Sequence, residues 1–206
     1  MAPTLPLDVP DPRSLECPLL RRNERAGFTL IELLMVMALI ALITAIALPR
    51  IDFSRYRIDA AVRGLASGMA RAQRQAVTNQ SNVNVVFDVP NVAFKIHEDE
   101  DNDNVVDATE RVRQYPVGEG VEYGLGDVAV RLYAPAPVTF TRTQAGMPEI
   151  IFRRDGSASE NGAVYITSKN AAERNADQDA RSVELIQATG RVEWYRYTGS
   201  AWQRKF

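Results

Sequence analysis

The chain has 206 residues, 46% hydrophobic and 24% charged, enough for one domain of ordinary size and a further apolar segment. A formal charge of -2 lends no electrostatic pull towards nucleic acid. One cysteine, Cys17, and one histidine, His97, exclude a disulfide framework and a Cys/His zinc site. A Ser/His/Asp triad would have to use His97, which ends an alternating run over 92–97 and reads as a strand-end residue, not a base. With no glycine-rich phosphate loop either, the composition points to a non-enzyme.

Residues 1–27 are polar and rich in proline, with Pro3, Pro6, Pro10, Pro12 and Pro18, and they end in Arg21, Arg22 and Arg25 ahead of Gly27. From Phe28 to Leu48 the chain is apolar over about the 20 residues a membrane-spanning helix needs. The basic flank marks the cytoplasmic side. Glu32 lies inside this run, where a carboxylate is costly and calls for a partner or a purpose. One purpose is local: Thr29 and Glu32 have the spacing of a capping box. An ordinary secretory signal is cut after an apolar core of roughly 7–15 residues. Here the small residue Gly27 precedes the apolar run, so cleavage there would leave the helix on the mature protein. Pro49 ends or kinks that helix.

Over 51–80, Tyr56, Val62, Leu65, Met69, Ala72, Ala76 and Val77 recur mostly at three- and four-residue steps, while Arg63, Arg71 and Arg74 point elsewhere. This predicts an amphipathic helix, continuous with the apolar one, that sets Val62, Leu65, Met69 and Ala76 on a sheet. Gly64 and Gly68 within it read as close-packing or as flexible positions. Strands are expected at 83–89, 92–97, 110–115, 128–133, 138–141, 149–153, 163–167, 182–187 and 191–197, separated by turn signals such as Asp155-Gly156 and Thr189-Gly190. The expected class is α+β, a long N-terminal helix with a transmembrane and an amphipathic half, packed on a C-terminal antiparallel β-sheet domain.

Between two of these strands, residues 99–110 match the calcium-loop register: Asp99, Asp101, Asp103, Asp107 and Glu110 supply carboxylates and Val105 a backbone carbonyl. Asn104 replaces the usual glycine, and asparagine tolerates the left-handed backbone needed there. A solvated acidic hairpin loop accounts for the same charges, so a bound Ca2+ is one of two readings.

Gly27-Phe28-Thr29-Leu30-Ile31-Glu32, behind its basic leader, resembles the processing signal of type IV prepilins and type II secretion pseudopilins. The resemblance implies that a prepilin peptidase cuts between Gly27 and Phe28 and methylates the Phe28 amine. It also implies that Glu32 pairs with the terminal amine of a neighbouring subunit, which makes two buried charges tolerable. Phe152-Arg153-Arg154-Asp155-Gly156, Val164-Tyr165-Ile166, Ser182-Val183-Glu184-Leu185 and Thr189-Gly190-Arg191-Val192 resemble the domain of the H-type minor pseudopilins and related type IV minor pilins. The implied organisation is a cleaved leader at 1–27, a membrane and assembly helix at 28–48, an amphipathic helix at 49–80 and a periplasmic β domain at 81–206. The implied function is a structural one at the tip of a pseudopilus, single-pass in the inner membrane, with other pseudopilins or minor pilins as filament partners. The alternative is a type IV minor pilin acting in pilus assembly or DNA uptake. For that role Arg191, Arg196, Arg204 and Lys205 alternate with Trp194, Tyr195, Tyr197 and Trp202 in a mixture suited to nucleic acid. An edge strand with one aromatic face buried explains the same tail, and Glu193 stands where DNA-binding relatives carry a second arginine.

Overall fold

A computed structural model of the chain describes residues 27–47, 53–105, 109–169, 171 and 176–205. The chain divides into two compact units, one ending at Ile51 and one beginning at Asp52.

In the first unit, α1 (Leu30–Ala47) is apolar around its whole circumference, and Glu32 is its one ionisable residue. Its single mid-helix hydroxyl, Thr44, is satisfied internally by donating to the Ile40 carbonyl at 2.7 Å. Eighteen residues rise about 27 Å, short of a ~30 Å hydrocarbon core. Among the described residues no helix is long and apolar enough to cross a membrane. The end of the expected 28–48 span, the stop at Pro49 and the continuity with the next helix fall on 48–52, outside the described residues.

The second unit begins with α2 (Ser54–Asn79), which ends where Gln80 takes a left-handed backbone (φ 56°). Among the described residues ten strands follow: β1 (Asn82–Asp88), β2 (Ala93–Asp99), β3 (Arg111–Pro116), β4 (Val121–Tyr123), β5 (Thr143–Gln144), β6 (Met147–Phe152), β7 (Gly162–Ser168), β8 (Arg181–Ile186), β9 (Arg191–Tyr197) and β10 (Trp202–Lys205). They form two five-stranded sheets of order β3-β2-β1-β6-β5 and β10-β9-β8-β7-β4. Every pairing is antiparallel.

The helix stripe predicted to face the sheet does so: Val62, Leu65, Met69 and Ala76 are fully buried. They meet Val85, Phe87 and Ile150 of the first sheet and Val164, Ile166 and Val183 of the second in one core. Each large apolar side chain removed from water here contributes roughly 1.5–3 kcal/mol. Two residues counted with that stripe lie off it. Tyr56 and Val77 are 72% and 43% exposed, because they are displaced by about 200° and 100° around the helix from the buried Ile58 and Ala76. Gly68 is a close-packing position: a Cβ there would sit 2.7 Å from the Phe94 ring. Gly64 has open space beside it.

Seven of the nine expected strands form within a residue or two of their expected ends. The run 128–133 is not one of them. Tyr133 adopts a left-handed backbone (φ 67°), which ends an extended run before Pro135, and Arg131 instead donates to Glu184 at 2.6 Å. The run 138–141 reduces to a single bridge between Val138 and Val164. The short β4 and β5 carry too few residues to show alternation.

Candidate assembly segment and acidic loop

Thr29 starts α1 by two contacts: its carbonyl accepts the Leu33 amide at 3.1 Å, and its hydroxyl accepts the Glu32 amide at 3.2 Å. This is half of the capping box. Among the described residues the Glu32 carboxylate has no ion-pair partner, while its apolar neighbours Phe28, Leu30 and Ile31 are 83%, 80% and 64% exposed. Gly27 and Phe28 therefore lead into an unsided apolar helix with one unpaired anion, an arrangement stable only when lipid or other helices cover it.

The acidic loop joins β2 to β3, as expected for a loop flanked by strands. Asp99, at the end of β2, is fully buried and accepts the Asp103 and Asn104 amides at 3.1 Å each. The Asp101 carboxylate also accepts the Asp103 amide, and that of Asp103 accepts the Val105 amide at 2.7 Å. These bonds bring one carboxylate oxygen from each of Asp99, Asp101 and Asp103 within 4.8 Å of one another. Asn104, standing where glycine is usual, takes the left-handed backbone at φ 61°. Burial pushes the Asp99 carboxyl above its ordinary range; the Asn104 amide opposes that shift and the Glu110 charge adds to it. Three converging hard oxygens, one of them desolvated, are chemistry that a divalent cation would relieve. Asp107 lies outside the described residues. Glu110 faces elsewhere: it accepts the Glu100 amide at 3.0 Å, and its other oxygen lies 2.6 Å from His97 Nε2. His97 itself is buried in β2.

The C-terminal tail forms the edge of the second sheet. Arg191 and Arg204 both contact the Glu193 carboxylate, at 3.0 and 2.8 Å. The Trp202 indole donates to the Ala129 carbonyl at 3.0 Å and packs on Tyr165 and Tyr197. Two of its four cations, Arg191 and Arg204, and the Trp202 ring are thus engaged within the fold.

Two contacts invisible to sequence periodicity hold the domain together. The Gln73 amide of α2 donates to the Gly156 carbonyl at 2.9 Å and the Thr189 carbonyl at 2.7 Å, so the turns Asp155-Gly156 and Thr189-Gly190 meet over the helix. A Cβ on Gly190 would fall 2.2 Å from the Gly156 carbonyl, which explains why glycine stands there. At the other end of α2, fully buried Arg181 binds Asp59 at 2.6 Å and donates to the Gln178 carbonyl at 2.7 Å. Asp59 is the sole acid of α2, the one clue the sequence offers.

Comparison with known proteins gives two family matches. The Prokaryotic N-terminal methylation motif covers residues 22–48, and Type II transport protein GspH covers residues 61–186, more than half the chain. Pilin-like protein PilA1 of Thermus thermophilus is 36% identical over 59 residues, which are 29% of this chain and 38% of that relative's length. Among solved structures, the minor pseudopilin EpsH from the type 2 secretion system of Vibrio cholerae aligns with a TM-score of 0.44 at 11% identity, over 70% of this chain and 99% of that one.

Proposed function

We propose that this chain, which belongs to the family of type II transport protein GspH, is a minor pseudopilin of a type II secretion machine. It would act as a structural subunit at the tip of a short periplasmic filament that supports export of folded proteins across the outer membrane. The observation that carries this reading is a methylation motif at 22–48 followed in the same chain by the GspH domain at 61–186.

In this reading a prepilin peptidase cuts between Gly27 and Phe28 and methylates the Phe28 amine. The leader 1–27 leaves, 28–48 spans the inner membrane with its N-terminus on the cytoplasmic side, 49–80 forms the amphipathic helix, and 81–206 is the periplasmic domain. Glu32, without an ion-pair partner among the described residues, supports an assembly contact. An amine on the next subunit would neutralise it where lipid does not, and one ion pair per interface fixes the register of otherwise featureless apolar helices. The mechanism is assembly, without catalysis; His97, which any triad would need, is buried against Glu110. The acidic loop is read as a calcium site of Asp99, Asp101, Asp103, Val105, Asp107 and Glu110. The convergence of three of these supports it, and ligation by Glu110 would require that carboxylate to leave His97.

The second reading, a type IV minor pilin, draws on the pilin-like relative. Its DNA-uptake form is disfavoured by the pairing of Arg191 and Arg204 with Glu193. Gene deletion separates the two: loss of exoprotein secretion with transformation and twitching intact is the expected result, and the reverse pattern would overturn the proposal.

A further inference from the structure

In the first sheet, Val85, Phe87 and Ile96 point into the core under α2, so the alternate residues Asn84, Val86, Lys95 and His97 face the opposite side. That side holds a cavity of about 240 Å3, walled mainly by Val86, Val112 and Met147 and lined also by His97 and Gln144. Among the described residues, seven buried side-chain polar atoms lack a hydrogen-bond partner, and five of them belong to this one face. They are both amide atoms of Asn84, His97 Nδ1, Gln144 Nε2 and Glu149 Oε2. Asn84 stands directly across from His97, and Glu149 across from Val86. Of these residues His97 and Gln144 line the cavity, and their orphaned atoms mark a place where an outside group completes the bonding.

The chemistry of that group follows from the imidazole. Nε2 lies 2.6 Å from Glu110 Oε2, and because a carboxylate only accepts, the neutral ring carries its proton on Nε2 and presents a lone pair at Nδ1. The cavity therefore offers apolar walls, an acceptor at His97 Nδ1, a donor at Gln144 Nε2, and the Lys95 stem, whose ammonium is held by Asp88 at 3.2 Å. A dry apolar cavity of about 150 Å3 accommodates a benzene-sized ring, so this one has room for a bicyclic ring. We propose that it binds a small aromatic group carrying an N–H or O–H donor, an indole or a phenol, with the donor on His97 Nδ1 and the ring against Val86, Val112 and Met147. The inference is independent of the filament role.

His97 is the one histidine of the chain, so the full-length 15N-labelled protein in detergent gives the Nδ1 and Nε2 signals of a single imidazole. Titration at constant pH with indole or phenol is expected to shift the Nδ1 resonance saturably, with benzene binding at least tenfold more weakly. Val112→Phe, at a rim position 44% exposed and so compatible with folding, is expected to abolish the shift in the same micelles. N-acetyl-tryptophanamide separates the sources of the ring: binding comparable to indole identifies a side chain of a neighbouring protein, and binding of indole alone identifies a free small molecule. An Nδ1 signal unmoved by every probe, a shift that survives in Val112→Phe, or benzene binding as tightly as indole would each overturn the proposal.

Discussion

Removal of the Asp59 carboxylate tests how α2 is tied to the second sheet. The Arg181 guanidinium is 0% exposed, while Asp59 is 24% exposed at 2.6 Å from it. Burial drives the arginine below its ordinary pKa, and the hydrogen bond it donates to Asp59 is the main opposing influence. Asp59→Ala leaves a buried cation with two carbonyl acceptors and the nearby Asp179 charge, but without its direct ion pair, a change that costs roughly 3–5 kcal/mol when both charges are dry. The partial exposure of Asp59 places the expected loss near the lower end, about 3 kcal/mol. Alanine is the better helix former by up to about 0.7 kcal/mol, which reduces the net loss slightly. For a domain of this size about 3 kcal/mol corresponds to a fall in Tm of roughly 6–12 °C, measured by circular dichroism of the full chain in detergent. Asp59→Asn, which keeps an acceptor, is expected to lose less. The double variant Asp59→Ala/Arg181→Met is expected to lose less than the sum of its single changes by at least about 1 kcal/mol. A fall below about 2 °C for Asp59→Ala, or strict additivity in the cycle, would refute the reasoning.

Other outcomes follow from the same structure. Glu32→Ala is expected to leave cleavage after Gly27 and membrane insertion intact while depleting the subunit from sheared filaments; unchanged incorporation would reduce Glu32 to its capping position. Calcium titration is expected to raise the Tm of the parent but not of Asp101→Ala/Asp103→Ala, and equal responses would leave the loop a solvated hairpin. Asp88 is held below the usual carboxylate range chiefly by its hydrogen bond from the Asn91 side chain, with burial opposing. Its folded pKa thus lies below the unfolded value near 3.8, so its contribution is full above that value and is lost as pH falls through the folded one. Asp88→Ala should therefore flatten the dependence of Tm on pH below about pH 4 relative to the parent; parallel curves would count against the Asn91 contact.

The processing signal, the amphipathic helix and most of the strands were legible because each is written in local pattern. Gly27 and Glu32 are fixed by spacing along the chain, and Val62, Leu65 and Met69 by the 3.6-residue period. Where the pattern misled, a backbone event intervened that periodicity does not encode, such as the left-handed turn at Tyr133. The acidic register was equally plain in the sequence, yet only folding shows Asp99 buried and Glu110 turned to His97, because those positions depend on how β2 and β3 pair.

By itself, then, the sequence determined the apolar helix with its single carboxylate behind a methylation motif, the helix-plus-sheet class and the spacing of the loop acids, since these follow from residues close together in the chain. Tertiary structure alone decided that Gln73 gathers two glycine turns, that Asp59 answers Arg181 from 122 positions away, and that Asn84, His97 and Gln144 share one face around a cavity. Contacts across such separations depend on sheet order and register, which the packing of the whole core selects and no local propensity specifies.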